Sequence, residues 1–466
     1  PGDPKIGGLP RQVPGACWSR VDPTPTPNPE LRLWSREMAD DLGVDRSDVD
    51  ILSGCRVSGG MAPYAQRYGG HQFGNWAGQL GDGRAITLGE ANVDGRTYEL
   101  QLKGSGITPY SRFADGKAVL RSSIREFLCS EAMFHLGVPT TRALSLVTTG
   151  EPVVRDIMYD GNPKPEPGAI VCRVAESFLR FGSFEIHSAM GDYETLKRLV
   201  DFTISNHFEG HDPSSDEGLV RWLNRVAETT AAMIAHWERV GFVHGVMNTD
   251  NMSIHGITID YGPFGWVEDY DPNWTPNTTD SNTRRYTFGN QRLVGEWNFA
   301  RLLEAVSPLF EDPSNLYRSL EHYRTSFKSH TEAMWVSKLG LRQSAPGDDE
   351  LVAQLVSLLR VVETDMTIFF RSLGTIDGLN PLDMAHAYYD EAALPVDELG
   401  LWLGKWWSRV DGDPDREAMN NANPKYVLRN WMSQLAIEAA EADDYSVAIE
   451  LQDLLRAPYE LSLIHI

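Results

Sequence analysis

Apolar residues recur with two different spacings along the chain. In residues 97–103 apolar and polar side chains alternate, which predicts a β-strand with Lys103 on the face opposite the apolar one. In residues 118–136 apolar side chains recur at helical spacing until Gly137, and this pattern predicts an α-helix. The two segments together predict a strand that is followed by a helix.

Further elements are predicted on both sides of a Pro- and Gly-rich stretch at residues 161–168, which we interpret as a hinge. Before it lie a Pro-rich strap at residues 1–31, a helix at 29–42, a glycine-dense zone at 58–89 and strands at 143–148 and 151–158. After it we expect two short strands, at 252–255 and 257–259, and helices at 192–206, 219–240, 297–309, 317–338, 348–372, 381–394, 396–410 and 424–455.

The order of these elements predicts an α+β fold with a small mixed lobe followed by a large helical lobe. We assign the strap and the first helix to residues 1–57, the N-lobe to 58–165, the C-lobe with its candidate catalytic and metal loops to 166–345, and additional C-terminal helices to 346–466.

Charge and composition exclude several classes of partner. The 466 residues carry a formal net charge of −23, which opposes binding to nucleic acid and to anionic membrane surfaces. No apolar run approaches the roughly 20 residues that a membrane-spanning helix needs. The four cysteines lack metal-site spacing, and with no recognisable targeting segment they favour a cytoplasmic protein. We expect a monomer whose ATP site, if it has one, concentrates positive charge locally.

Lys103 and Glu126 form the first candidate pair. The predicted strand ends at Lys103, and Glu126 lies in the middle of the predicted helix. Kinase-like proteins pair a strand lysine with a helix glutamate in this order, and the lysine then contacts nucleotide phosphates. The spacing is equally compatible with two solvated surface charges, so both interpretations stay open at this point.

A second group of candidates follows the helix predicted at residues 219–240. The segment from His244 to Asn251 reads HGVMNTDN and precedes the triplet DYG, which begins at Asp260. Kinases place a histidine, a catalytic aspartate and a metal-binding asparagine in this way, followed by a metal-binding Asp-x-Gly. Asn251 and Asp260 offer the oxygen ligands that Mg²⁺ prefers. A turn capped by Asp250 and Asn251 is the simpler alternative.

Val246 occupies the position at which a kinase has its catalytic aspartate. Transfer of the terminal phosphoryl group is therefore disfavoured. Asp250, next to the candidate metal ligand Asn251, could instead act as a base for a hydroxyl that attacks a different phosphorus. The residues indicate either a pseudokinase or another phosphorus chemistry.

Glycines and arginines supply candidate phosphate contacts. Gly81, Gly83 and Arg84 precede a strand, where backbone N–H groups and a guanidinium could approach phosphates. Arg173 and Arg180 could bind phosphate oxygens in a bidentate manner. Tight-turn glycines and solubilising surface arginines are the alternatives.

The longest motifs resemble the selenoprotein O (YdiU-type) family. Residues 64–84 read YAQRYGGHQFGNWAGQLGDGR, and residues 102–116 read LKGSGITPYSRFADG. The resemblance continues through residues 121–126, 173–184 and 244–262, and it spans residues 10–455 in order.

This resemblance implies a protein-kinase-like bilobal fold that binds ATP in an orientation reversed from that in ordinary kinases. AMP would then pass to Ser, Thr or Tyr hydroxyls of proteins and pyrophosphate would leave, with UTP as a further candidate donor. Carried over residue by residue, the resemblance implies that Asp250 is the proton acceptor and that Lys103 and Glu126 are its catalytic partners. It also implies that Asn251 and Asp260 are ligands of Mg²⁺ or Mn²⁺. The nucleotide site that it implies consists of Gly81, Gly83, Arg84, Lys103, Asp115, Gly116, Arg173 and Arg180.

The sequence departs from the family pattern at its cysteines. Residues 270–277 contain none, and no Cys or selenocysteine stands near the C-terminus, so redox control of the kind known in the family is not implied. A kinase and an inert nucleotide-binding scaffold are the alternative functions. Val246 argues against the first, and the joint presence of Lys103, Glu126, Asn251 and Asp260 argues against the second.

Overall fold

The computed structural model describes residues 15–156 and 161–460 together with a two-residue strand near the N-terminus. The described strands are β1 Gly2–Asp3, β2 Trp18–Arg20, β3 Glu30–Trp34, β4 Tyr64–Gln66, β5 Gly69–Gln72, β6 Asn75–Gln79, β7 Ala85–Val93, β8 Arg96–Lys103, β9 Ala118–Val119, β10 Arg142–Arg155, β11 Lys164–Ala175, β12 Phe242–Val243 and β13 Gly265–Trp266.

Helices dominate the second half of the described chain. They are α1 Arg36–Leu42, α2 Val49–Leu52, α3 Leu120–His135, α4 Phe181–Ala189, α5 Tyr193–His207, α6 Asp216–Val240, α7 Gln291–Val306, α8 Leu316–Leu339, α9 Asp348–Leu358, α10 Met366–Leu373, α11 Val396–Arg409, α12 Arg416–Ala422, α13 Asn430–Glu441 and α14 Ser446–Leu455. Short 3₁₀ helices include Thr249–Asn251, Ser307–Leu309 and Pro381–Ala387. The predicted α+β class is therefore confirmed.

A nine-stranded sheet forms the core of the first part. Its order is β1-β2-β4-β7-β8-β11-β10-β3, with β9 also paired to β11, and every pairing except β1 with β2 is antiparallel. Strand β8 lies between β7 and β11, so Lys103 is opposite Ala85 on one side and Val171 on the other. This central position holds the Lys103 backbone on both sides.

Both faces of the sheet are covered. One face packs α1 against buried residues such as Leu102 and Ile170, while the other packs α3 and the large helical core through residues such as Leu146. Helix α3 buries Ile124 and Phe127 completely, because apolar side chains at helical spacing form a stripe that faces the sheet. The same packing carries Glu126 to the inner face of the molecule.

The C-terminal helices belong to two different hydrophobic cores. Helices α13 and α14 pack on the core that contains α3 and α6, and the Gln452 side chain donates a hydrogen bond of 2.9 Å to the Trp34 carbonyl. Helices α9, α10 and α11 instead pack around a second core that includes Trp406 and Phe369. None of the described helices combines the length and the apolar composition that a bilayer span needs.

Most predicted elements are confirmed to within a few residues. They are the strand at 97–103 and the helices at 118–136, 192–206, 219–240, 297–309, 317–338 and 396–410. The strands predicted at 143–148 and 151–158 form the single bulged strand β10 as far as Arg155, and residues 157–158 lie outside the described residues. Residues 1 and 4–14 of the predicted strap also lie outside them, whereas residues 21–29 run without regular structure.

The helix predicted at residues 29–42 is wrong in its first half. Strand β3 occupies that half and pairs with β10, with Leu33 opposite Leu146. Pairing with the long strand β10 satisfies the backbone N–H and C=O groups of this segment, and the local sequence gives no sign of that partner. The helix begins only at Arg36.

The hinge predicted at residues 161–168 is also wrong, because β11 begins at Lys164. Pro165 and Pro167 are two residues apart in β11, so the positions of their missing backbone N–H groups lie on the same side of the strand. On the other side they pair with β10, opposite Val154 and Pro152. Strand β8 pairs only with the later part of β11, so these prolines interrupt no ladder on that side.

Five other predictions fail where backbone turns intervene. The strands predicted at 252–255 and 257–259 are reduced to isolated bridges, and the helix predicted at 381–394 is replaced by short 3₁₀ turns. The helix predicted at 348–372 breaks before Asp365, whose side chain caps α10. The helix predicted at 424–455 starts later and breaks near Asp443, which adopts a positive φ of 65°.

Candidate active site

Lys103 and Glu126 form a buried ion pair beneath the sheet. The Lys103 Nζ atom lies 2.7 Å from Glu126 Oε2, and side-chain exposure is 11% for the lysine and 5% for the glutamate. Burial lowers the pKa of Lys103, and the Glu126 carboxylate opposes this shift. The pair is therefore not a solvated surface contact, which was the alternative interpretation of the sequence.

Three cationic side chains surround Asp260. Its two carboxylate oxygens lie 2.6 Å from Arg173 Nη1 and 2.5 Å from Arg180 Nη1, and Lys103 Nζ is 3.6 Å away. Burial would raise the pKa of Asp260, but Arg180, Arg173 and Lys103 outweigh it and hold the pKa well below its usual range. The Asp260 backbone has a positive φ of 58°, a conformation that aspartate tolerates better than most residues.

Three cations meet at this position. Lys103, Arg173 and Arg180 lie against the carboxylates of Glu126 and Asp260. A further carboxyl group, that of the buried Asp82, lies 4.0 Å from Arg180. Burial raises the pKa of Asp82, and Arg180 opposes this shift. A strongly acidic chain thus concentrates cations where a polyphosphate could bind.

Asp250 and Asn251 lie on a 3₁₀ turn beside this cluster. The Asn251 amide nitrogen donates to the Val246 carbonyl at 2.9 Å, which leaves the amide oxygen facing away from that bond. Arg180 Nη1 donates to the Asp250 carbonyl at 2.6 Å. Burial raises the pKa of the Asp250 carboxyl to about 6, whereas the hydrogen bond from Gln72 lowers it. An atom of this carboxyl, Oδ1, is buried and has no hydrogen-bond partner among the described residues.

The β5–β6 hairpin, residues 69–79, lies on the turn that carries Asp250. Gln72 Nε2 donates to Asp250 Oδ2 at 3.2 Å, and the His71 N–H donates to Thr249 Oγ1 at 2.7 Å. A side chain at Gly70 would place its Cβ 2.6 Å from Asp250 Oδ1. Glycine is therefore needed at this position for the hairpin to approach the turn so closely.

The glycine-rich loop before β7 packs against the loop after β8. Gly81 has a φ of 134°, and a Cβ there would lie 2.5 Å from the Tyr110 ring. The Gly104 N–H donates to the Arg84 carbonyl at 2.7 Å, so the exposed Arg84 follows the same strand end as Lys103. A Cβ at Gly83 would be 3.0 Å from the Tyr110 carbonyl oxygen. Both glycines allow the two loops to approach each other closely.

Asp115 and Gly116 make their contacts outside the ion-pair cluster. Arg155 binds both carboxylate oxygens of Asp115, at 2.7 and 2.8 Å. A Cβ at Gly116 would lie 2.1 Å from the Gly106 carbonyl oxygen, so the glycine permits a close backbone crossing. The structure thus brings Lys103, Glu126, Arg173, Arg180, Asp250 and Asp260 into one connected cluster, with Asn251 and Arg84 at its margin, and does not bond Asp115 to it.

The oxygen ligands at this site suit a metal ion that is also bound by the substrate. Among the described residues no group of three or more His, Cys, Asp and Glu side chains could hold a metal ion by itself. Asn251 and Asp260 offer two oxygen ligands, and Mg²⁺ commonly takes its remaining ligands from phosphates and water. The residues present therefore fit a metal that enters together with a nucleotide.

Several neighbours of the cluster were not singled out from the sequence. Gln101 lies between Arg173, which donates to its side-chain oxygen, and Asp82, whose carboxylate accepts from it at 3.4 Å. The Arg180 guanidinium lies 4.3 Å from the centre of the Tyr68 ring. Alternation along β8 places Gln101 on the same face as Lys103, so the strand pattern contained a signal for this residue.

Comparisons with known proteins agree with one another. A family model described as protein adenylyltransferase SelO matches residues 11–456. The protein nucleotidyltransferase YdiU of Azoarcus sp. is 54% identical across 99% of this chain and 92% of the relative. That of Aromatoleum aromaticum is likewise 54% identical, and that of Xanthomonas euvesicatoria pv. vesicatoria is 53% identical, each across 99% of this chain and 92% of the relative.

Proposed function

Because this chain belongs to the SelO family of protein adenylyltransferases, we propose that it transfers AMP from ATP to Ser, Thr or Tyr hydroxyls of proteins. Pyrophosphate is the leaving group. The observation that carries the proposal is the convergence of three cations, Lys103, Arg173 and Arg180, on Asp260, in a chain that has Val246 where a kinase has its catalytic aspartate. UTP is a further candidate donor for the same site.

The proposed architecture is that of a bilobal kinase. The N-lobe begins at residue 58 and includes β11, which runs to Ala175, so the lobe boundary lies at the end of that strand and not at residue 165. The C-lobe then extends to residue 345, with a strap before the N-lobe and helices 346–466 after the C-lobe. The Lys103–Glu126 pair between a central strand and α3 supports this assignment. The ion-pair cluster then lies in the cleft where a kinase-like protein holds its nucleotide.

The triphosphate of ATP binds the three cations. Arg173 and Arg180 are fully enclosed, so their charges are poorly screened and their planar guanidinium groups suit phosphate oxygens. When the phosphates take over these hydrogen bonds, the Asp260 oxygens become available. Gly81, Gly83 and Arg84 line the site on the strand side, and Asp115 and Gly116 complete it from the next loop.

Asp250 is the proton acceptor for the acceptor hydroxyl. Its Oδ1 atom has no hydrogen-bond partner among the described residues, while Gln72 holds Oδ2. The hydroxyl oxygen attacks the α-phosphorus as its proton passes to Asp250, and the bond from that phosphorus to the bridging oxygen breaks. Lys103, Arg173 and Arg180 stabilise the negative charge that grows on the departing pyrophosphate.

Mg²⁺ or Mn²⁺ would be held by Asn251 and Asp260. When bound, the ion supplies charge neutralisation for the phosphates. The single hydrogen bond from Asn251 to Val246 orients the amide before any ligand arrives.

A matched pair of substitutions tests these assignments. Asp260→Asn removes the carboxylate charge but keeps a residue that tolerates the positive φ of 58°. We expect loss of metal-dependent AMP transfer, measured as the mass increase of an acceptor protein. The control is Asp411→Asn, which also has a positive φ, of 51°, but lies in an exposed turn. Full transfer by Asp260→Asn, or equal loss in both variants, would contradict the assigned site.

A further inference from the structure

The loop before α7 is held rigidly by the buried Asp280. Its carboxylate accepts hydrogen bonds from the backbone N–H of Arg285 at 3.0 Å and of Tyr286 at 2.7 Å, and from the Thr283 hydroxyl at 2.6 Å. The Tyr286 hydroxyl in turn donates to Asn248 Oδ1 at 2.6 Å. The loop is thereby fixed to the turn that carries Asp250.

Arg285 lies between this loop and the hairpin. Its Cζ atom is 4.6 Å from the centre of the Trp297 ring, and a Cβ at Gly74 of the hairpin would be 3.4 Å from the same atom. Its Nε atom has no hydrogen-bond partner among the described residues. The guanidinium is positioned by stacking and not by a carboxylate.

Two carboxylates near this position make other contacts. Asp280 accepts from backbone groups, and Glu185 pairs with His71 at 2.6 Å. A second arginine on the Trp297 ring, Arg301, lies 5.1 Å from the ring centre and pairs with Glu304 at 2.5 Å. Among the described residues, no ion pair involves Arg285 or its exposed neighbour Arg284.

Aromatic rings extend this surface toward the hairpin. His71 lies 5.2 Å from Trp76 and 5.5 Å from Trp297, measured between ring centres. Trp76 is 39% exposed. We name the surface formed by Trp76, Trp297, Arg284 and Arg285 the arginine face.

The arginine face adjoins the carboxyl that we assign as the base. Gln72, which contacts Asp250, is two residues before Gly74, against which Arg285 lies. Two residues span at most about 7 Å, so Asp250 and Arg285 contact the same short stretch of the hairpin, and a short extended acceptor segment can reach from one to the other. A segment that presents its hydroxyl to Asp250 therefore passes this face.

We infer that the arginine face binds an acidic segment of the acceptor protein, in which a carboxylate that flanks the modified hydroxyl lies on Arg285. This inference rests on the proposed function and adds the class of acceptor. Charge complementarity supports it, because unpaired guanidinium groups on a chain of net charge −23 favour an anionic partner where they lie. A rigid, stacked guanidinium also loses little entropy when it binds a carboxylate.

The test uses short Tyr peptides whose flanking residues are Glu, Gln or Lys. AMP transfer is measured as kcat/KM with ATP labelled at the α-phosphorus. We expect the wild-type protein to prefer the Glu peptide to the Gln peptide by roughly tenfold, the effect of one charge-assisted hydrogen bond. Arg285→Ala should bring the ratio close to one, and Arg285→Glu should favour the Lys peptide. Arg301→Ala, which removes an arginine already paired on the same ring, is the matched control.

The outcomes separate the two proposals. Transfer from the α position without discrimination among the flanks would leave the proposed function standing and overturn the docking inference. An equal fall in kcat/KM for all three peptides in Arg285→Ala would also overturn it, because only a structural role of Arg285 predicts that result. Absence of transfer to any peptide or protein would overturn the proposed function, and the inference with it.

Discussion

Substitution of Gly70 by alanine tests whether the hairpin closes on Asp250 in the active protein. The added Cβ would lie 2.6 Å from Asp250 Oδ1 and 2.9 Å from Asp250 Cβ, whereas ordinary contact begins at 3.4 Å. The hairpin or the carboxyl must therefore move by about 0.8 Å, the difference between 3.4 and 2.6 Å. Misplacement of a catalytic group by about 1 Å costs roughly 100-fold in rate, or about 2.7 kcal/mol.

The assay is the turnover number for AMP transfer, measured well below the melting temperature of each variant. We expect Gly70→Ala to lower it by roughly 100-fold while ATP still raises the melting temperature, because the cations around Asp260 are untouched. Gly59→Ala is the control, since a Cβ at that glycine meets nothing within 4 Å and its φ is not positive. A turnover number for Gly70→Ala within twofold of the wild-type value would refute the close approach of the hairpin to the base.

Three further predictions concern other parts of the molecule. Gln72→Leu removes the 3.2 Å hydrogen bond to Asp250 and should lower the turnover number by about tenfold without weakening ATP binding in calorimetry; a change in ATP affinity alone would argue against a positioning role. Phe127→Ala, at a fully buried site in α3, should reduce the free energy of unfolding in urea by about 3 to 5 kcal/mol, and a loss below 1 kcal/mol would contradict the packing described. Burial lowers the pKa of His255 from 6.5 to about 3, so the unfolded state binds more protons than the folded state between these two pH values. The free energy of unfolding therefore falls as the pH drops below 6.5, by about 2 kcal/mol at pH 5. Urea titrations at pH 7 and pH 5 should show this difference, and His255→Leu should reduce it.

Local patterns were enough to find the elements that carry Lys103 and Glu126. Alternation defined β8 and helical spacing defined α3, and both segments have the sequence signature of the faces that they bury. The pairing itself depended on the kinase-like order of strand and helix. A short distance between two such side chains follows from the packing of α3 on the sheet, which periodicity alone does not encode.

Long-range pairing explains two of the failures. Leu31 and Leu33 became strand residues because β10 offered an edge, and Pro165 lies in a strand because its missing N–H faces no partner strand. Neither partner is visible in the local sequence. The same limit applies to Arg285, whose position depends on Asp280 and on the hairpin.

The candidate site was predicted in part. Sequence motifs identified the three cations and Asp260, which the structure joins by ion pairs. They did not single out Gln72 and Gln101, because these residues act through contacts with Asp250 and Arg173 that only the folded chain brings about. The nucleotide role of Asp115, which pairs with Arg155 in this structure, stays a prediction.

AMP transfer itself is tested most directly by incubating the purified protein with Mg²⁺ or Mn²⁺ and with ATP labelled in parallel at the α- or the γ-phosphorus. Label is then measured on the protein and on added acceptor proteins. We expect label from the α position only, and we expect Asp250→Asn to abolish it. Label from the γ position only would establish a kinase that works with Val246 in place of the usual aspartate, and no label from either position would leave an inert nucleotide-binding scaffold.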